Sequence, residues 1–226
     1  MKSSLVISLG GSIVVPDTVD VKFLEHFRDL ILGVKNQYQK IFIVVGGGAF
    51  ARVYQNAARA VGNPKNTELD WLGIYVIRTN GLLVKTILGR FAYPDLITDP
   101  SQKIVFGEKI MVGGAWGPGY SSDFTATMFA KTYHVKEMIN LSNVECVYDK
   151  DPKKHADAKP LESLSWREMK TLMPTKWEPG MNVPFDPHAV RLASKLGLKV
   201  VFLKGTDLKN LEHYLAGRKW KGSVVE

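Results

Sequence analysis

The chain has 226 residues, 45% hydrophobic and 23% charged, which is enough for one large globular domain or two small ones with a sizeable core. Its one cysteine, Cys146, excludes an internal disulfide, and no Cys/His cluster has zinc spacing. No apolar run approaches the roughly 18 residues of a membrane span, and the opening MKSSLVISLGGS meets glycines too early for a signal peptide, so a cytoplasmic protein is expected.

The formal net charge is +8, from 30 basic and 22 acidic side chains. Such a surplus attracts polyanions, nucleic acid included. The lysines are scattered, however, with dense clusters only at KDPKK (150–154) and RKWK (218–221), and no nucleic-acid motif stands beside them. Solvated surface lysines, or a field that draws a small anionic substrate, account for the charge without a nucleic-acid partner.

In chain order, SLVISL (4–9) reads as a buried strand ended by Gly10 and Gly11. After Pro16 and Asp17, VKFLEHFRDLILGV has the apolar spacing of a helix. KIFIVV (40–45) is a second strand, and AFARVYQNAARAVG a second helix ending near Gly62. NPKNT is a turn, and ELDWLGIYVIRTNGLLVKTILG a long, mostly apolar third helical stretch. KIMVGG (109–114) is a third strand running into glycines, and SSDFTATMFAKTYH a helix with a serine cap. EMINLS (137–142) is a fourth strand, followed by the polar stretch NVECVYDKDPKKHADAKP and the short helix SWREMKTLM. FDPHAVRLASKLGL starts a helix with Asp186 as cap and Pro187 in the first turn. KVVFLKG (199–205), DLKNLEHYLAG and KWKGSVV close the chain as strand, helix and strand.

This alternation predicts an α/β protein: a three-layer αβα sandwich on a mainly parallel central sheet. A single domain (1–226) is expected, with a boundary near residue 135 between two lobes, 1–135 and 136–226, the second of them nucleotide-binding. Ligands in such sheets bind beyond the carboxyl ends of the strands, and glycines stand there after LVISL, IFIVV and KIMV. Bare backbone N–H groups at one sheet edge point to a phosphate-rich ligand. The loop GxxxxGK[ST] is absent. Gly46, Gly48 and Ala51 satisfy GxGxx[GA], but the acidic residues about 20 positions on, Glu68 and Asp70, begin a helix instead of ending a strand, so a dinucleotide fold is only a minor alternative.

SLGGS, VVGGG, LDWLGIYVIRTNGLL, GPGYSSD and LSNVECVYDKDPKK, in that order, resemble the amino acid kinase family, and within it the short uridylate kinases of the archaeal type. The resemblance runs from Leu5 to the closing GSVV. It implies transfer of the γ-phosphoryl of ATP, with Mg2+, to UMP, and an assembly of dimers or hexamers with contacts through the first or third helical segment.

Residue by residue, the resemblance places Gly10, Gly11 and Ser12 around the ATP phosphates, with Ser8 beside them. Gly46, Gly47 and Gly48 would lie against the acceptor phosphate, Gly47 also facing ATP. Arg52 would be their cationic partner, a reading favoured over a plain surface arginine because a helix N-terminus already favours anions. Asp70 would hold the UMP ribose, although alone it reads as a helix-start charge. Gly119, Ser121 and Ser122 would hold the acceptor phosphate, and Asp123 would be the central catalytic aspartate. Trp116 and Tyr120 either wall the uracil or belong to the core. Ser142, Tyr148 and Asp151 would meet the ATP nucleoside, and Lys153 would steer phosphates or remain a solvated loop charge. No protein ligand for a metal stands out.

Two positions depart from the family pattern. Ser8 stands where many members have lysine, and VECVY (144–148) replaces the usual VDGVY, so Cys146 takes a glycine's place. Two other readings therefore stay open. One is a member of this fold that binds nucleotide or oxyanion with little turnover. The other is a kinase for another phosphate acceptor such as isopentenyl phosphate, against which stands the lack of a histidine after the glycine run, where AFAR is found.

Overall fold

The computed structural model describes residues 1–152, 154–173 and 183–226. The long strands are β1 (Leu5–Leu9), β2 (Ile41–Val45), β3 (Ile110–Gly113), β4 (Glu137–Ser142) and β8 (Lys199–Lys204). Between β4 and β8 lie the short strands β5 (Val147–Tyr148), β6 (Pro160–Leu161) and β7 (Ser163–Leu164), and β9 (Ser223–Val225) ends the chain. The helices are α1 (Gly11–Val14), α2 (Val21–Val34), α3 (Gly48–Val61), α4 (Asn66–Leu88), α5 (Ser122–Thr132), α6 (Trp166–Leu172), α7 (Pro187–Leu196) and α8 (Leu208–Leu215).

A seven-stranded sheet runs in the order β3-β2-β1-β4-β8-β9-β7. Its first five strands are mutually parallel, as βαβ crossovers require. Strands β9 and β7 run the other way: β9 is antiparallel to β8, and β7 pairs with β9 in parallel at the edge. The sandwich expected from sequence is the one observed. Strands β5 and β6, which pair as a two-stranded antiparallel ribbon at the two ends of the polar stretch after β4, were not expected from the sequence. Strands of two residues are too short to leave a periodicity.

The strands are apolar on both faces because helices cover both. Leu5, Ile7, Leu9, Ile41, Ile43, Ile139 and Leu141 form one core with Phe27 and Ile31 of α2 and Val84 and Leu88 of α4. Val6, Phe42, Val44 and Met138 form the other with Phe129 of α5, Met169 of α6 and Val190 of α7. Each large side chain so buried contributes roughly 1.5–3 kcal/mol. The alternation along each strand decides what reaches the second face next. After Val6 comes Ser8, and after Met138 comes Asn140. The two are register partners in the β1–β4 ladder, both buried. Two polar side chains thus stand side by side under α5, just short of the carboxyl edge.

Candidate active site

Helix α5 begins where β3 has delivered the chain to that edge. Ser121 caps it, its Oγ accepting from the Phe124 N–H at 3.0 Å. The cap places Asp123 in the first turn, over Ser8 and Asn140. Ser8 Oγ and Asn140 Nδ2 both donate to Asp123 Oδ1, each at 2.9 Å. Burial pushes the Asp123 carboxyl up to about 7; the Ser8 hydrogen bond pulls it down, and the nearby Asp186 carboxylate adds to the rise. Asp186 caps α7, its Oδ1 accepting from the N–H groups of His188 at 2.5 Å and Ala189 at 2.9 Å. Among the described residues, its Oδ2 is buried without a hydrogen-bond partner. Sequence reasoning gave Asp186 only a capping role, and nothing in FDPHAV marks its closeness to Asp123.

The glycine loops after β1 and β2 pack directly on each other. A Cβ on Gly11 would lie 2.3 Å from the Gly46 carbonyl oxygen, and one on Gly48 would lie 2.3 Å from the Ser12 nitrogen. Gly48 also has φ of 64°, the left-handed region that glycine adopts without strain. Asn80, buried in α4, fixes this junction by donating from Nδ2 to the Gly46 carbonyl at 3.0 Å.

Beyond β2 opens a cleft of about 180 Å³. Of the residues expected to bind UMP, Gly47, Gly48, Arg52, Asp70, Tyr120, Ser121 and Ser122 line it. Gly119 acts from behind: its N–H donates to Asp70 Oδ2 at 2.8 Å, tying the loop before α5 to α4. Burial raises the Asp70 carboxyl, and this bond partly offsets the rise. Gly46 and Trp116 do not line the cleft. Trp116 instead stacks on Tyr120 with ring centroids 4.9 Å apart, and Tyr120 stacks in turn on Phe124 at 4.9 Å. Gln55, Gly73, Ile74 and Ile77, with Ala51 and Gly117, also line it and were not foreseen. The first four had a signal of their own, since they fall one to two turns from Arg52 and Asp70 on α3 and α4.

A second cleft, of about 230 Å³, opens beyond β4. Ser142, Tyr148 and Asp151 line it together with Val144, Cys146 and Pro184. Lys153 lies outside the described residues. Cys146 is buried, and desolvation raises its thiol pKa. Strand β1, with Ser8 and Asp123 over it, separates the two clefts. Among the described residues, no group of three His, Cys, Asp or Glu side chains could hold a metal ion, and no helix is long and apolar enough to cross a membrane.

The geometry defines an α/β protein with two clefts on one carboxyl edge and a half-buried aspartate between them. A sequence profile of the amino acid kinase family matches residues 3–204, and the chain belongs to that family. It is 31% identical to the uridylate kinase of Thermococcus sibiricus over 98% of this chain and 99% of the relative. It is 33% identical to that of Thermoplasma volcanium, covering 96% and 95%. Among solved structures, uridylate kinase from Archaeoglobus fulgidus superposes with a TM-score of 0.84 at 28% identity, covering all of both chains. UMP kinase from Bacillus anthracis gives 0.76 at 18% identity over 99% and 95%, a likeness of fold alone.

Proposed function

We propose that the protein transfers the γ-phosphoryl group of ATP to UMP, giving UDP and ADP. The observation that carries this reading is the order of parts along the edge: one cleft over β2, the other over β4, and Asp123 anchored to β1 and β4 between them. Two nucleotides seated end to end would bring their phosphates together over the glycine loops. Relatives named uridylate kinase, matching over nearly the full length, supply the identity of the acceptor. The acceptor cleft is built wholly from residues before 135 and the other cleft wholly from residues after it, which supports the two-lobe division.

In this reading Arg52 and the amides of Gly47 and Gly48, at the start of α3, hold the UMP phosphate, because a helix N-terminus with a cation favours an anion. Asp70 accepts from the ribose hydroxyls, and Tyr120, backed by Trp116, presents a ring face to uracil. Ser142, Tyr148 and Asp151 hold the ATP nucleoside. Asp123 orients the backbone at the phosphoryl locus and takes no proton from the acceptor, since a phosphate oxygen is already ionised at neutral pH. Catalysis then rests on positioning and charge neutralisation.

Magnesium fits as an ion carried by ATP: it is typically bound by one or two carboxylates plus substrate phosphates, and the half-buried Asp123 and the buried Asp186 are carboxylates of that edge. When bound it neutralises the β- and γ-oxygens. A cytoplasmic setting suits these substrates.

Self-association is also part of the proposal. Phe50, Val53 and Tyr54 of α3 and Trp71, Tyr75 and Leu82 of α4 leave large apolar side chains exposed on two helices packed together. Helix α2, by contrast, turns Phe23, Leu24, Phe27 and Ile31 inward. A second copy would therefore dock on α3 and α4.

The deciding experiment is an assay with radiolabelled ATP and magnesium against UMP, CMP, AMP and isopentenyl phosphate. Labelled UDP as the dominant product is expected. No product above background would favour a nucleotide-binding member with little turnover, a reading to which Ser8, a neutral side chain where many members have lysine, lends weight.

A further inference from the structure

The RKWK cluster (218–221) takes no part in either cleft. It follows α8 and lies at the opposite, amino-terminal edge of the sheet, where β1, β4 and β8 begin. There a third cavity, of about 460 Å³, is lined by Lys2, Tyr38, Glu137, Lys199, Tyr214, Arg218 and Trp220 among others.

Three cations converge on it against one carboxylate, and among the described residues Lys2, Lys199 and Arg218 form no ion pair. Glu137 is already engaged: the Tyr214 hydroxyl donates to its Oε1 at 2.6 Å. The lysines are held in place by rings, Lys2 Nζ 5.3 Å from the centroid of Tyr38 and Lys199 Nζ 5.6 Å from that of Tyr214. Lys2 Nζ also donates to the Leu215 carbonyl. Trp220 meets Tyr214 edge to face, centroids 5.0 Å apart, and remains partly exposed. The cations outnumber the lining carboxylate, which suits phosphate oxygens, and a partly exposed indole suits a planar ring.

We propose that this cavity binds a nucleoside polyphosphate, its phosphates between Lys2, Lys199 and Arg218 and its base against Trp220, at a site separate from both clefts of the catalytic edge. Being on the far side of the sheet, it can be altered without touching Asp123 or the glycine loops.

Backbone amide resonances of the isotope-labelled full chain, titrated with the β,γ-imido analogue of ATP, locate the binding. Saturable shifts at Lys199, Gly217 and Arg218 are expected. The double variant Lys199→Gln/Arg218→Gln should weaken binding there by about tenfold or more while leaving phosphoryl transfer unchanged. The absence of saturable shifts at these amides overturns the proposal, as does wild-type affinity in the double variant. Tripolyphosphate titrates the charge without the ring; binding as tight as that of the nucleotide analogue overturns the nucleoside assignment. Tighter binding of a single-stranded oligonucleotide would reassign the patch to nucleic acid and equally overturn it.

Discussion

Ser8 Oγ lies 2.9 Å from Asp123 Oδ1, a hydrogen bond between residues 115 positions apart that joins the second strand face to the first turn of α5. Ser8→Ala removes a donor to a half-buried carboxylate and leaves Asn140 as its remaining side-chain donor. The Asp123 pKa then rises further, and the acid limb of the pH–rate profile should move to higher pH with little change in KM for either nucleotide. A profile unchanged in Ser8→Ala would remove Asp123 ionisation from the rate.

Asp123→Asn should abolish transfer, costing on the order of a thousandfold or more in kcat, because a preorganised electrostatic group at the reacting centre is lost. The neutral amide should not cost the fold. The Asp123 pKa is raised from 3.8 to about 7, so the folded state holds a proton that the unfolded state releases. Stability contributed by the protonated form is complete below about pH 4 and declines as pH rises towards 7, with a slope of at most about 1.4 kcal/mol per pH unit. Denaturant unfolding at several pH values should show this slope in the wild type and its loss in Asp123→Asn.

Asp70→Ala removes both a candidate ribose ligand and the acceptor of the Gly119 N–H. The KM for UMP should rise by about tenfold or more while that for ATP stays within about twofold. Equal effects on both nucleotides in steady-state kinetics would reject the assignment of this cleft to the acceptor.

Gly48→Ala should be among the most destabilising single changes. The new methyl carbon would meet the Ser12 backbone nitrogen at 2.3 Å, and the backbone at this position has φ of 64°. A loss of about 2–4 kcal/mol is expected from strain and forced separation of the two loops. Gly33→Ala, a helical site with open space around it, provides the control and should be neutral or slightly stabilising. Thermal and denaturant unfolding compare the two.

Tyr75 is 63% exposed on α4, in the apolar patch shared with α3. Tyr75→Glu places a charge where a second copy is proposed to dock, and sedimentation should show a shift towards smaller species. Unchanged assembly size would move the interface elsewhere.

Strand and helix identities were readable because each long strand is a short apolar run, ended by glycine in all but β4, and each helix but the four-residue α1 carries a recognisable stripe or cap. The caps at Ser121 and Asp186 sit where the sequence placed them. The β5–β6 ribbon and β7 left no such mark, since two-residue strands are defined by partners and not by pattern. Tyr120 and Trp116 shared one aromatic reading from sequence, yet one lines the cleft and the other stacks behind it.

By itself the sequence determined the alternating α/β order, the glycine turns at the carboxyl edge and the family likeness, because these depend on local periodicity and on residues close along the chain. Only the tertiary structure decided which partners those residues have. It set Ser8 beside Asn140 beneath Asp123, brought Asp186 up against that carboxylate, and locked Gly11 and Gly48 together. The same packing gathered Lys2 with Arg218 from opposite ends of the chain. Such contacts arise from strand register and helix docking, which no local pattern encodes.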